Sequence, residues 1–195
     1  EALPAQLARM AERLPDARFI FMANDEQELV EMHAHGLTAY VVNNFILIDE
    51  NQFMPLENAE KKYDALYNAM FRALKNHQLC ADIPSLALIY YPLPGYSEGD
   101  YEQRMRQLLV QAQFLNEPDG GAYKYLGPDD IVAAINAAHV GLCLSEKEGA
   151  MRACCEFLLC GIPVVTVPSI GGRARYLNLG NSRTVPLSKD AVANA

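Results

Sequence analysis

Positive charge is scarce in this sequence. Its 195 residues carry 16 Lys and Arg against 24 Asp and Glu, a formal net charge of -8. No cluster of Lys or Arg with interleaved aromatics breaks that balance, and a surface of this sign repels a polyphosphate backbone, which argues against nucleic acid as a partner. Long apolar runs are missing too. The longest, 39–48 and 162–167, fall far short of the roughly 20 residues that a bilayer-crossing helix needs. No membrane span is expected, so any membrane association is peripheral. Residues 1–14 carry charges every few positions and lack the apolar segment of a signal peptide.

Neither a P-loop nor a Gly-x-Gly-x-x-Gly dinucleotide fingerprint is present, so any bound phosphate must be held in another way. No internal repeat or low-complexity tract interrupts the chain. Cysteine is limited to Cys80, Cys143, Cys154, Cys155 and Cys160. The odd count, the apolar surroundings and the lack of metal-ligand spacing point to reduced thiols packed in a cytoplasmic protein. Cys154 and Cys155 are neighbours on a predicted helix, about 100° apart around its axis, and are poorly placed to share a metal or a disulfide.

What is present is an ordinary globular composition, 51% hydrophobic and 21% charged, which supports a sizeable core. Strand-like runs at 18–23, 39–43, 63–68, 86–91, 124–126, 140–144, 163–167 and 182–186 alternate with helix-like stretches at 25–35, 70–80, 100–114, 129–138 and 149–160. Two weaker helices lie near the ends. Alternation of this kind predicts an α/β fold with a mainly parallel sheet, and several runs are continuously apolar, as strands covered on both faces must be. Pro128 followed by Asp129 and Asp130 starts one helix, and Gly161 followed by Pro163 ends another. A seam at 50–62, with Pro55, Asn58 and a run of charges, divides the chain into a β-α-β remnant over 1–56 and a nearly complete doubly wound, Rossmann-like domain over 57–195.

Ligands of doubly wound sheets bind outside the C-terminal ends of the strands. The loop and helix after 140–144 carry Glu148, Gly149, Ala150 and Met151 at the expected helix mouth, where small residues let a phosphate approach the first-turn amides. Glu148 can equally serve only to complement the helix dipole. Glu156 lies eight residues on, about 12 Å along the axis, within Cys-Cys-Glu-Phe-Leu-Leu-Cys. An ionised acid in such a neighbourhood needs partners to offset its desolvation. A ribose diol would supply two hydroxyls, and an ion pair with Arg152 one turn earlier is the structural alternative. The loop after 163–167 offers Gly171 and Gly172 for close backbone approach. Arg72 and Lys75 are expected to share a helix face and to be able to clamp a diphosphate, or else to be solvated surface cations.

With these residues in place, the stretch 144–173 resembles the hallmark segment of retaining glycosyltransferases of family 4 with the GT-B fold. Glu148 and Glu156 correspond to the Glu-x7-Glu motif, followed by Cys160-Gly161-Ile162-Pro163-Val164-Val165 and by Gly171-Gly172. The likeness extends back through Tyr125-Leu126-Gly127 to Tyr63-Asp64-Ala65-Leu66-Tyr67-Asn68, and 17–55 looks like the last unit of that family's acceptor domain. The resemblance implies that Glu148 contacts the donor sugar near the reacting centre, Glu156 holds the ribose and Lys75 neutralises the diphosphate leaving group. Gly149, Ala150, Met151, Arg72, Gly171 and Gly172 would complete donor binding. The implied reaction moves a sugar from a nucleotide-diphosphate donor to a carbohydrate, lipid or protein acceptor with retention, without an obligatory metal or other cofactor. Two departures stand out. The family's diphosphate Arg falls at Met70, with Arg72 two residues away, and Ala150-Met151 replaces Phe-Gly. Other readings are a non-catalytic nucleotide-sugar-binding module and another GT-B enzyme such as a nucleotide-sugar epimerase.

Overall fold

The structure, a computed structural model, describes residues 3–92 and 99–195. Helix α1 (Leu3–Arg13) precedes a small β-α-β unit of strand β1 (Phe21–Ala23), helix α2 (Glu26–Ala34) and strand β2 (Ala39–Val41). Its two strands pair in parallel and form a sheet of their own. The Asp25 carboxylate caps α2 by accepting a 2.8 Å hydrogen bond from the Glu28 N–H, and Glu26 and Glu28 in the first turn complement the helix dipole.

The second sheet contains β3 (Tyr63–Asn68), β4 (Leu86–Ile89), β5 (Gln113–Phe114), β6 (Ala138–Cys143), β7 (Val164–Thr166) and β8 (Ser182–Thr184). All of its neighbours are parallel, in the order β5-β4-β3-β6-β7-β8. The chain winds outward from β3 to one edge, returns to β6 beside it and winds to the other edge. That is the doubly wound Rossmann order, with its reversal between β3 and β6. Helices α3 (Gly99–Leu108), α4 (Pro128–Asn136), α5 (Arg152–Leu159) and α6 (Lys189–Ala193) accompany these strands.

The continuously apolar runs are the central strands: every residue of β4 and β7 is buried, as two covered faces require. Helix α5 lies very close to the sheet because β6 has Gly141 under it. A Cβ there would sit 2.1 Å from the Phe157 ring, and Phe157 is fully buried. A Schellman turn closes α5, with Gly161 N–H donating to Leu158 O and Ile162 N–H to Phe157 O, each at 3.1 Å. Residues 50–62 contain neither helix nor strand, yet they are fastened down. Asn136 accepts from the Leu56 N–H at 2.8 Å and donates to Met54 O at 3.1 Å.

Several expectations change. The run 124–126 is irregular rather than a strand: the Lys124 N–H donates to Asn116 O at 2.6 Å, and Tyr125 is exposed. The strand on that side of the sheet is β5, inside the stretch 100–114 expected to be wholly helical; α3 stops at Leu108. The helix expected at 70–80 is a pair of 3-10 turns, Ala73–Lys75 and His77–Cys80, separated by Asn76 at φ 54° and ψ 40°. The helix expected from 149 starts at Arg152, with Met151 as its N-cap, so Gly149, Ala150 and Met151 precede the first turn instead of forming it. Among the described residues no helix is long and apolar enough to cross a membrane.

Candidate functional site

The strand reversal opens a cleft of about 590 Å³ at the C-terminal ends of β3, β4 and β6, closed on one side by residues 47–53. This is where doubly wound sheets bind ligands. Five of the candidate residues line it: Lys75, Glu148, Ala150, Met151 and Glu156. Arg72, Gly149, Gly171 and Gly172 are not among the lining residues. The extended backbone of Arg72 precedes the first 3-10 turn, so it does not share a helix face with Lys75.

Lys75 reaches across to form an ion pair with Glu148, and the two side chains are only 15% and 14% exposed. The turn that presents Lys75 is held at both ends. Tyr67 of β3 donates its hydroxyl hydrogen to Lys75 O, and Asn76 Nδ2 donates to Leu144 O, just past β6, at 3.0 Å. The backbone around Glu148 continues the sheet pairing beyond β6 and β7. Its N–H donates to Ile170 O at 3.1 Å, and the Ile170 N–H donates to Glu146 O at 3.0 Å.

The Gly-Gly turn serves that loop from behind. Gly171 has φ 110°, and a Cβ on it would fall 1.6 Å from Glu148 O; a Cβ on Gly172 would meet Asn24 Cβ at 2.6 Å. Paired glycines let the turn pack directly against the Glu148 backbone and against the small N-terminal sheet, rather than against open cleft. Asn43 spans the same contact, donating to Asn24 O at 3.1 Å and Gly172 O at 3.4 Å.

Glu156 is 7% exposed, and no hydrogen bond to its carboxylate exists among the described residues. Burial raises its pKa, with the charge of Arg152 one turn earlier working in the opposite direction. Arg152 is itself exposed and lines the cleft. Tyr91 and Tyr125 lie on the same wall, their ring centroids 6.4 Å apart. Burial, then the Glu156 charge, pushes the Tyr91 hydroxyl up to about 12. Sequence reasoning missed both tyrosines as site residues. Tyr91 lies two residues past the end of β4, so the strand-end rule applied to that loop would have found it. A second cleft of about 760 Å³ lies along β7 and β8, lined by Ser169, Leu177, Arg183 and Thr184 among others, and none of the candidate residues line it.

All five cysteines are free thiols, four of them buried. The neighbouring Cys143 thiol, and then the field of Arg173, lower the Cys154 pKa against the effect of burial.

No protein-family model and no curated protein matches the chain. Solved structures do. Sucrose-phosphate synthase from Thermosynechococcus elongatus is similar over 90% of this chain and 47% of its own, with a TM-score of 0.67 and 18% identity. HepE from Anabaena, solved with UDP and glucose, is similar over 89% of this chain and 51% of its own, with a TM-score of 0.69 and 19% identity. The C-terminal domain of a group 1 glycosyl transferase from Francisella tularensis is similar over 75% of this chain and 84% of its own, with a TM-score of 0.52 and 19% identity. The six-stranded parallel unit thus has the fold of the C-terminal, Rossmann-like half of GT-B glycosyltransferases. The chain spans about half the length of the first two proteins.

Proposed function

We propose that this chain is the donor half of a retaining glycosyltransferase, with 57–195 binding a nucleotide-diphosphate sugar and 1–56 ending an acceptor domain. One observation carries this reading. Glu156 is a buried acid that has no hydrogen-bond partner among the described residues, and the cleft it lines also holds the paired Lys75 and Glu148. A buried carboxylate is tolerated when donors meet it, and a ribose diol entering the cleft brings two.

The remaining roles follow from charge. Lys75, once drawn from Glu148, meets the diphosphate, with Arg152, which also lines the cleft, in place of Arg72, which does not. Glu148 then faces the donor sugar at the reacting carbon, and the Gly171-Gly172 turn fixes its backbone. As the bond between the anomeric carbon and the diphosphate oxygen breaks, negative charge grows on the leaving group, and preorganised cations stabilise it. The HepE structure, with UDP and glucose bound to the same fold, supports a uridine donor as the first to test.

Thermal shift of the chain with UDP, GDP and ADP tests the binding step. A ligand at 100 times its Kd adds about 2.7 kcal/mol, which raises Tm by roughly 5–10 °C for a domain of this size. One of the three is expected to do so and the Lys75→Ala variant to lose most of it. A folded protein that responds to none of them refutes the reading. Binding with neither sugar transfer nor donor hydrolysis by the full-length protein would leave a non-catalytic nucleotide module in its place. A donor sugar changed in configuration without any acceptor would instead mark an epimerase.

A further inference from the structure

Arg173 is fully buried, an unusual setting for a guanidinium, which is almost never buried without a counter-charge. Among the described residues no carboxylate forms an ion pair with it. Its Nη2 donates to Ser145 O at 2.8 Å, its Nη1 lies 3.6 Å from Met151 Sδ, and among the described residues its Nε has no hydrogen-bond partner. Ser145 and Met151 are the two ends of the segment that carries Glu148. Met151 lines the cleft, so one side chain separates the guanidinium from the ligand space. Nothing in the roles assigned above uses this charge.

We propose that Arg173 is a positioning and electrostatic residue for the diphosphate: it spans the 145–151 loop from beneath and sets an uncompensated positive charge behind the cleft wall, for which the bound diphosphate is the counter-ion. This rests on the donor-site reading. The chemistry is that of a preorganised cation. In a desolvated wall the field of a fixed charge is weakly screened, and it costs no reorganisation when the anion arrives. The neighbouring thiols already register that field, since it helps to lower Cys154. A lone buried charge destabilises the empty protein, a cost that makes sense where an anionic ligand offsets it.

Two variants separate charge from hydrogen bonding. Arg173→Lys keeps the charge; Arg173→Gln keeps a donor for Ser145 O and removes the charge. The probes are the nucleoside diphosphate that stabilises the unaltered protein and its monophosphate, titrated by calorimetry at low salt. For R173Q we expect diphosphate affinity to fall about tenfold, as for the loss of one partly buried charge interaction, with a smaller fall for the monophosphate. R173K is expected to stay within about twofold of the unaltered protein. Equal losses in R173K and R173Q, or equal losses for the two nucleotides, assign Arg173 a packing role and overturn the proposal. So does unchanged affinity in R173Q. An unaltered protein that binds no nucleotide defeats the donor-site reading itself, a distinct result.

Discussion

Replacing Glu156 by Gln separates what this residue costs the fold from what it gives a ligand. The side chain is 7% exposed, and the substitution preserves its shape while removing its charge. Burial raises the Glu156 pKa, so between the unfolded and folded pKa values the native protein holds more protons than the unfolded chain. The sign follows: stability is full below the ordinary carboxylate range and falls as pH rises through that window. At neutral pH the ionised acid is a net cost, and E156Q should stabilise the ligand-free protein by about 1 kcal/mol, a rise in Tm of roughly 2–4 °C. Binding should move the other way. A hydroxyl bonded to a charged acceptor contributes about 1.5–3 kcal/mol against about 0.5–1.5 for a neutral one, so the nucleoside diphosphate should bind roughly tenfold more weakly. Calorimetry with the ribose nucleotide and its 2′-deoxy analogue isolates the contact: the unaltered protein should prefer ribose, and E156Q should discriminate far less. If E156Q keeps both the affinity and the preference for ribose, Glu156 does not hold the sugar of the nucleotide.

Two further perturbations probe the frame around the cleft. His77 is fully buried, stacked 4.8 Å from Phe71, and burial lowers its pKa from 6.5 to about 4. As pH falls through that window the unfolded chain gains a proton that the native one refuses. Stability should therefore drop by about 3 kcal/mol between neutral pH and pH 4 from this group. Urea midpoints across that range should be flatter in His77→Phe, and identical slopes would show that His77 is not held neutral. Gly171→Ala places a Cβ 1.6 Å from Glu148 O at a φ of 110°, so the loop must shift. We expect a loss of about 2–4 kcal/mol together with weaker diphosphate binding, whereas a change below about 0.5 kcal/mol would mean that the turn does not support Glu148.

The fold was legible where packing and local pattern agree. Strands β4 and β7 are buried along their whole lengths, as two covered faces require, and runs such as Leu86–Ile89 bounded by turn residues were readable as buried strands for that reason. The misreadings arose where tertiary contacts override propensity. Met70-Phe71-Arg72-Ala73-Leu74-Lys75 has good helix formers, but Asn76 bonds to Leu144 O and the His77 N–H donates to the Tyr101 hydroxyl at 3.0 Å. Those long-range bonds turn the segment into two short 3-10 pieces. The bridge between Lys147 and Ile170 likewise keeps the chain extended past β6 and delays α5 to Arg152. Strand β5 is two residues long and has no periodicity to read. Within the candidate site, Glu156 stood out as a charge inside an apolar run. The meeting of Lys75 with Glu148, by contrast, joins residues far apart in sequence, and nothing in the sequence sets Arg173 apart, because exposure is the usual outcome for a loop arginine.

The charges of the cleft limit what it can bind well. Its described lining has Asp49, Glu148 and Glu156 against Lys75 and Arg152, and Lys75 is already occupied by Glu148. A bare diphosphate entering such a space gains little from the wall, because it must compete with Glu148 for Lys75 while facing two other acids. A nucleotide sugar changes the balance on both sides. Its ribose hydroxyls satisfy Glu156, its sugar hydroxyls give Glu148 new donors as Lys75 leaves it, and the diphosphate between them inherits Lys75 and Arg152 with the field of Arg173 behind. Under the proposed reading, the same acids that make the empty cleft a poor phosphate site make it selective for a phosphate carrying hydroxyl-rich groups at both ends.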